Sequence, residues 1–272
     1  MIESIRNNGY NEPRYRQRTQ LEAEAGFWAA SVASALIYKA LPSFSNPFLN
    51  QIIKEHSNNH LYRDVFIRAI EKSGLKEKGL EFIDLRMSVD DILKKTSGLI
   101  DEIEHFEVKE GLNAFFASES KKVVLNGEKA TIVGFHELGH AMNSMKSRLG
   151  KFLQKMRAPG YAIAGFMGSV ALISRRKPKG EKRNFREFIQ DNCGKIAFLS
   201  LMPTVIEEAM ASHKGIKLAK ESGLSDALAK NLKKIYGKAL LSYVGYALVT
   251  GLSVFAASKI TEVFTRPQRI DN

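Results

Sequence analysis

Along the 272-residue chain, apolar positions recur mainly at spacings of three and four, the repeat of helices buried on one face. Residues 21–40, rich in alanine and aromatics, predict a helix, and "LPSFSNP" ends it because two prolines within seven residues do not fit a helix interior. Residues 49–98 read as short amphipathic helices, one of them starting at Ser88, where Ser-Val-Asp-Asp supplies an N-cap followed by acids. The pattern changes in "GLNAFFASESKKVVLNGEKA": residues 112–117 and 122–125 are short aromatic or β-branched runs around a polar turn, and Asn126-Gly127 closes the second. A hairpin there leads directly into another helix, and residues 148–265 read as almost wholly helical, with no internal repeat. The expected fold is mainly α with a small β hairpin or sheet. It divides into a flexible basic arm (1–20), an N-terminal helical region with one apolar helix (21–100) and a main domain (101–265). That domain contains a hydrophobic helical insertion (158–206) and an apolar C-terminal helix.

Three uncharged runs bring in the membrane. Residues 239–258 give twenty uncharged positions between Lys238 and Lys259, enough to cross a bilayer, while 158–174 give seventeen and 25–38 give fourteen. Lys146, Arg148, Lys151, Lys155 and Arg157 precede the 158–174 run, and Arg175, Arg176, Lys177, Lys179, Lys182, Arg183 and Arg186 follow it. A simple crossing would send one cluster to the non-cytoplasmic side against the positive-inside tendency. A helix buried in protein, re-entrant or interfacial, with both flanks at an anionic cytoplasmic surface, is preferred over core helices of a soluble cytoplasmic protein. The formal charge of +12 agrees with an anionic partner surface. Nucleic acid is not the expected one, because the basic residues flank apolar helices and follow no recognised binding motif. The polar N-terminus has no cleavable secretory signal pattern, and a single cysteine, Cys193, excludes an internal disulfide or a multi-cysteine metal site.

The chemistry is concentrated in "ATIVGFHELGHAMNS". On a helix, His136 and His140 lie on one face about a turn apart, so both imidazoles can reach one ion. Glu137, one position on, points to the side, where it can hold a metal-bound water without ligating the metal. That division of labour reads as a zinc hydrolase: zinc lowers the pKa of the water and the carboxylate takes its proton. Phe135, Leu138, Met142, Met145 and Leu149 form an expected apolar stripe on the side away from the histidines, and Gly139 and Ala141 add little bulk. With six histidines in the chain, an accidental HExxH arises in on the order of one such chain in a hundred, so a third ligand matters.

The third-ligand candidates lie in "MPTVIEEAMASHKGIKLAK", which starts 62 residues after His140. Glu208 shares a helical face with Val205, Ala211, Ser212 and Gly215, small or apolar residues that let helices approach. Glu207 sits with Pro203, Met210 and Lys214, the pattern of a solvent or salt-bridge face, and Glu208 is therefore preferred. Ser212, one turn on, is either a hydrogen-bond partner of a ligand histidine or a small residue permitting helix contact. His213 is a surface histidine or an oxyanion donor. His56, His60 and His105 have no comparable partners at ligand spacing.

"NAFF", "VVLN", HELGHA, a hydrophobic insertion and then "EAMAS" resemble, in that order, the membrane-associated gluzincin metallopeptidases related to heat-shock protease X and the CAAX prenyl-protein proteases. The likeness is greatest to a predicted family of bacterial neutral zinc metallopeptidases, and it covers roughly residues 112–248. The prenyl-protease relatives carry Asp where Ser212 stands. The resemblance implies a zincin-like core in 101–265 and a zinc endopeptidase acting on peptide or protein substrates. The peptide would lie along an edge strand around Asn113, Ala114, Phe115 and Phe116, and Tyr243 or His213 would serve as a second oxyanion donor. The competing expectation is a non-catalytic, basic, membrane-associated helical protein with a vestigial or structural metal site.

Overall fold

A computed structural model describes residues 15–16, 20–40, 60–84, 114–126, 131–173 and 184–269. The chain forms two compact units, each assembled from separated stretches: 1–40, 164–198 and 249–272 in one, 41–163 and 199–248 in the other. The described part is mainly helical with a small mixed sheet. Strand β1 (Tyr15–Arg16) is followed by α1 (Gln20–Ala40), α2 (His60–Lys72), a 3-10 turn (Lys76–Lys78) and β2 (Glu81–Asp84). Strands β3 (Ala114–Ala117) and β4 (Lys122–Leu125) lead into α3 (Thr131–Lys146), α4 (Arg148–Lys155) and α5 (Arg157–Ile173). The chain continues through α6 (Phe185–Ser200), α7 (Met202–Glu221), α8 (Asp226–Thr265) and β5 (Gln268–Arg269).

In the unit that carries the HELGH segment, β3 and β4 form the expected hairpin, with Ala114 opposite Leu125 and Ala117 opposite Lys122. The third strand corrects the helical reading of 49–98: β2 pairs parallel with β4, Glu81 opposite Lys122 through Asp84 opposite Leu125. Four residues are too few to show a period, and β2 takes its hydrogen bonds from a partner some 40 positions later in the chain, which local pattern does not register. Gly79, at φ +86°, closes the turn that feeds β2, with its amide bonded to Lys76 O. The helix expected from Ser88 lies outside the described residues. The hydrophobic core gathers Tyr62, Phe66, Leu75, Val123, Ile132, Phe135, Leu138 and Leu232, with the Phe66 and Phe135 rings edge to face at 5.2 Å.

Helices α3 and α7 touch almost backbone to backbone. A Cβ on Gly139 would stand 2.0 Å from Ala211 O, and one on Gly215 would stand 2.3 Å from Phe135 O. The pairs 139–211 and 135–215 run in opposite senses, so the two helices are antiparallel. The apolar stripe of α3 is buried at Phe135 and Leu138 and partly covered at Met142 and Met145, but it does not extend to Leu149. Ser147 ends α3 and caps α4 by accepting the Gly150 amide at 3.0 Å, which turns Leu149 out to solvent. Gly223, at φ +96°, and Leu224, whose amide bonds to Ala219 O, terminate α7 as the left-handed exit of a helix does.

The other unit reverses the usual placement of side-chain size. Ala30, Ala171, Ala197, Ala257, Ser253, Ser258, Thr261 and Gln190 are buried, whereas Trp28, Phe166, Ile173, Phe185, Phe188 and Phe255 face outward. Its helices meet at small residues: a Cβ on Gly194 would lie 2.7 Å from Gly251 O, and one on Gly26 would lie 2.5 Å from the Phe264 Cβ. Ser258 donates to Gln190 O at 3.0 Å. Within the stretch expected as a flexible arm, Tyr15–Arg16 pairs antiparallel with Gln268–Arg269. The 40-residue α8 is roughly 60 Å long. It is long and apolar enough to cross a membrane, and only 33% of its most apolar stretch is buried inside the protein.

The α3–α7 contact predicts the effect of adding one carbon. Gly139→Ala or Gly215→Ala should destabilise the protein by about 1–3 kcal/mol through overpacking. Gly237→Ala, in α8 with nothing within 4 Å of its would-be Cβ, should be neutral or stabilising by up to about 1 kcal/mol. Denaturant unfolding of the three variants distinguishes these outcomes, and equal effects would rule out the close-approach account.

Candidate metal centre

The antiparallel contact of α3 and α7 brings two sequence-distant sets of side chains together. His136 and His140, one turn apart on α3, present Nε2 atoms 3.0 Å from each other, with ring centroids 4.5 Å apart. From α7, Glu208 Oε2 stands 3.0 Å from His136 Nε2 and 3.5 Å from His140 Nε2. Three donor atoms thus form a triangle with edges of 3.0, 3.0 and 3.5 Å. Four tetrahedral ligands at zinc–nitrogen and zinc–oxygen distances are separated by roughly 3.3 Å, so this triangle has the size of one face of such a tetrahedron. The donor set fits zinc by its chemistry as well as its size: two imidazoles and one carboxylate, the number of protein ligands that catalytic zinc takes. Glu137 is buried, and a carboxylate oxygen of it lies within 4.8 Å of both histidines' ligand atoms.

A second ring of contacts orients the donors. His140 Nδ1 meets Glu207 Oε1 at 2.9 Å, and the same oxygen accepts from Asn143 Nδ2 and Gln154 Nε2, each at 2.9 Å. Of the solvent or salt-bridge face expected for Glu207, the solvent reading is corrected and the ion pairing is found: the residue is fully buried, pairs with the far nitrogen of His140 and lies 3.7 Å from Arg157. The reason is that α3 and α4 close over this side of α7, through Asn143 and Gln154, so that Glu207 and Glu208 reach the outer and inner nitrogens of the same imidazole. His136 is held in the same way by Ser212, whose Oγ lies 3.2 Å from Nδ1. The Tyr236 ring packs 5.3 Å from the His136 ring, and its hydroxyl donates to Ile132 O.

Arg157, the first residue of α5, pairs with Glu208 Oε1 and lies 3.7 Å from Glu207 Oε2. Tyr243, on α8, lies in the electrostatic surroundings of Glu208, Arg157 and Glu137. The sequence marks Arg157 only as one of several basic residues before an apolar run, and nothing local distinguishes it. Asn143, Gln154 and Tyr236 are equally silent, because each owes its role to a partner at least 50 positions away or to α4 folding back along α3. His213 is exposed on α7, roughly 140° round the helix from Glu208, and is not brought to the cluster. Ala114, Phe115 and Phe116 lie in β3, an edge strand among the described residues that packs against α3. Asn113, His56 and His105 lie outside the described residues.

The electrostatics are those of a cation site. Burial raises the pKa of Glu137. For His140 burial opposes the charged form, but its hydrogen bonds to the Glu207 and Glu208 carboxylates outweigh it and push the pKa up to about 10. Glu208 is likewise resisted by burial yet lowered by hydrogen bonds from His136 and His140, and it remains ionised. Carboxylates converging on buried imidazoles hold a proton tightly, and they hold a divalent cation by the same attraction. Comparison with protein-family models, curated proteins and solved structures gives no match for this chain. The functional reading accordingly rests on the residues themselves.

The two carboxylates have separable roles, which zinc affinity measured by chelator competition reports. Glu208→Gln, losing a charged donor oxygen, should abolish stoichiometric zinc binding. Glu207→Gln, losing the charge behind His140, should weaken it about 10- to 100-fold. The reverse order would exchange their assignments.

Proposed function

We propose that this protein is a zinc-dependent endopeptidase with a zincin-like core, associated with a membrane and working at its cytoplasmic side. The observation that carries the reading is the convergence of His136 Nε2, His140 Nε2 and Glu208 Oε2 on one point, with the buried Glu137 carboxylate beside them. Zinc bound there would lower the pKa of a water and polarise a substrate carbonyl. Glu137 would take a proton from such a water and pass it to the departing amine, and burial, by raising its pKa, suits both roles. Tyr243, which shares the electrostatic surroundings of Glu208 and Glu137, is the phenol available to donate to the oxyanion. The edge strand β3 offers main-chain groups to an extended peptide, a mode of pairing largely indifferent to side chains and suited to protein substrates.

Membrane association is supported by large apolar residues outside and small or hydroxyl-bearing residues at the helix contacts, an arrangement that favours lipid over water as the outer solvent. The basic runs on either side of the 158–174 stretch favour the cytoplasmic face.

Two measurements test these readings separately. Glu137→Gln should retain about one zinc per chain and lose cleavage of an unfolded protein substrate by at least about 100-fold. Retained cleavage would overturn the mechanism, and zinc binding without hydrolysis in the unaltered protein would favour a structural metal site. After alkaline carbonate washing the protein should remain in the membrane pellet and require detergent for release. Release by salt or carbonate alone would refute integration into the bilayer.

A further inference from the structure

The two oxygens of Glu208 have different partners. Oε2 faces the imidazole pair, 3.0 Å from His136 Nε2 and 3.5 Å from His140 Nε2, while Oε1 is engaged by the Arg157 guanidinium. The other arm of that guanidinium lies 3.7 Å from Glu207 Oε2, and Glu207 in turn holds His140 Nδ1. A carboxylate free at both oxygens can rotate and bind a cation through both, filling the direction that a water or substrate oxygen needs. A guanidinium presents donors in a rigid planar fork, so it can fix a carboxylate at a set angle while its second arm faces another carboxylate, which an ammonium cannot.

We propose that Arg157 is a positioning residue that keeps Glu208 on the metal through one oxygen only, and so keeps the fourth coordination position open. This rests on reading the cluster as a zinc centre. Arg157 is on α5, outside the helix pair that supplies the donors, so it acts on Glu208 from a third element, with its other arm 3.7 Å from Glu207 Oε2. Its side chain is 33% exposed against 2% for Glu208 and 0% for Glu207, so the fork closes the centre from its outer side.

The test uses the full-length protein in detergent, with zinc affinity and the visible absorption of the cobalt(II)-substituted form as readouts. Four-coordinate cobalt(II) absorbs several-fold more strongly than five-coordinate. The unaltered protein should bind one equivalent and give the strong spectrum. Arg157→Gln should bind zinc about 10- to 100-fold more weakly and give the weaker, five-coordinate spectrum. Arg157→Lys, which restores the charge without the fork, should recover much of the affinity but not the spectrum. Helical circular dichroism of the metal-free variants checks folding, and if the glutamine variant does not fold, the lysine variant carries the test alone. A strong four-coordinate spectrum in Arg157→Lys reduces the residue to charge compensation and overturns the proposal, as does an unaltered spectrum in Arg157→Gln. Absence of metal from the unaltered protein overturns the zinc reading itself, a result distinct from either.

Discussion

The site depends on how closely α3 and α7 approach. With Gly139 under Ala211 O and Gly215 under Phe135 O, the two backbones meet where any side chain would separate them. A carboxylate on α7 can then reach the inner nitrogens of histidines on α3 without an intervening layer. Move α7 outward by the thickness of one methyl group and Glu208 Oε2 loses its 3.0 Å and 3.5 Å approaches to the imidazoles together. The apolar face of α3, buried through Phe135 and Leu138 against Phe66 and the sheet, holds the helix from behind so that its polar face stays turned to α7.

Around this contact the polar groups are arranged in depth. Each inward-facing nitrogen or oxygen is backed by a partner on its far side: Glu207 behind His140, Ser212 behind His136, Arg157 behind Glu208. Such backing orients each group, and it spreads the desolvation of several buried charges over many hydrogen bonds. Asn143 and Gln154 complete the arrangement by sharing Glu207 Oε1 with His140.

The two units follow opposite packing rules. In the one bearing the cluster, large apolar residues form the interior, as water requires. In the other, alanine, glycine, serine and threonine make the helix contacts while phenylalanine, isoleucine and tryptophan face out. The same sequence-level signal, an apolar helix, therefore has two meanings in this chain.

By itself the sequence determined the helical class, the β3–β4 hairpin, the pairing of His136 with His140 and the small-residue face that singled out Glu208. All of these follow from short-range periodicity: 3.6 residues per helical turn, two along a strand, and side-chain volume read at those steps. Tertiary structure decided the rest. Strand β2 exists because β4 supplies its hydrogen bonds, Glu207 is buried because α4 and α3 close over it, and Leu149 is exposed because Ser147 starts a new helix. Arg157 joins the cluster because α5 begins beside α7, a meeting of residues 51 positions apart that leaves no periodic trace. Pattern along a chain records which face of an element is apolar, and only packing chooses the neighbour which that face, or its polar opposite, will meet.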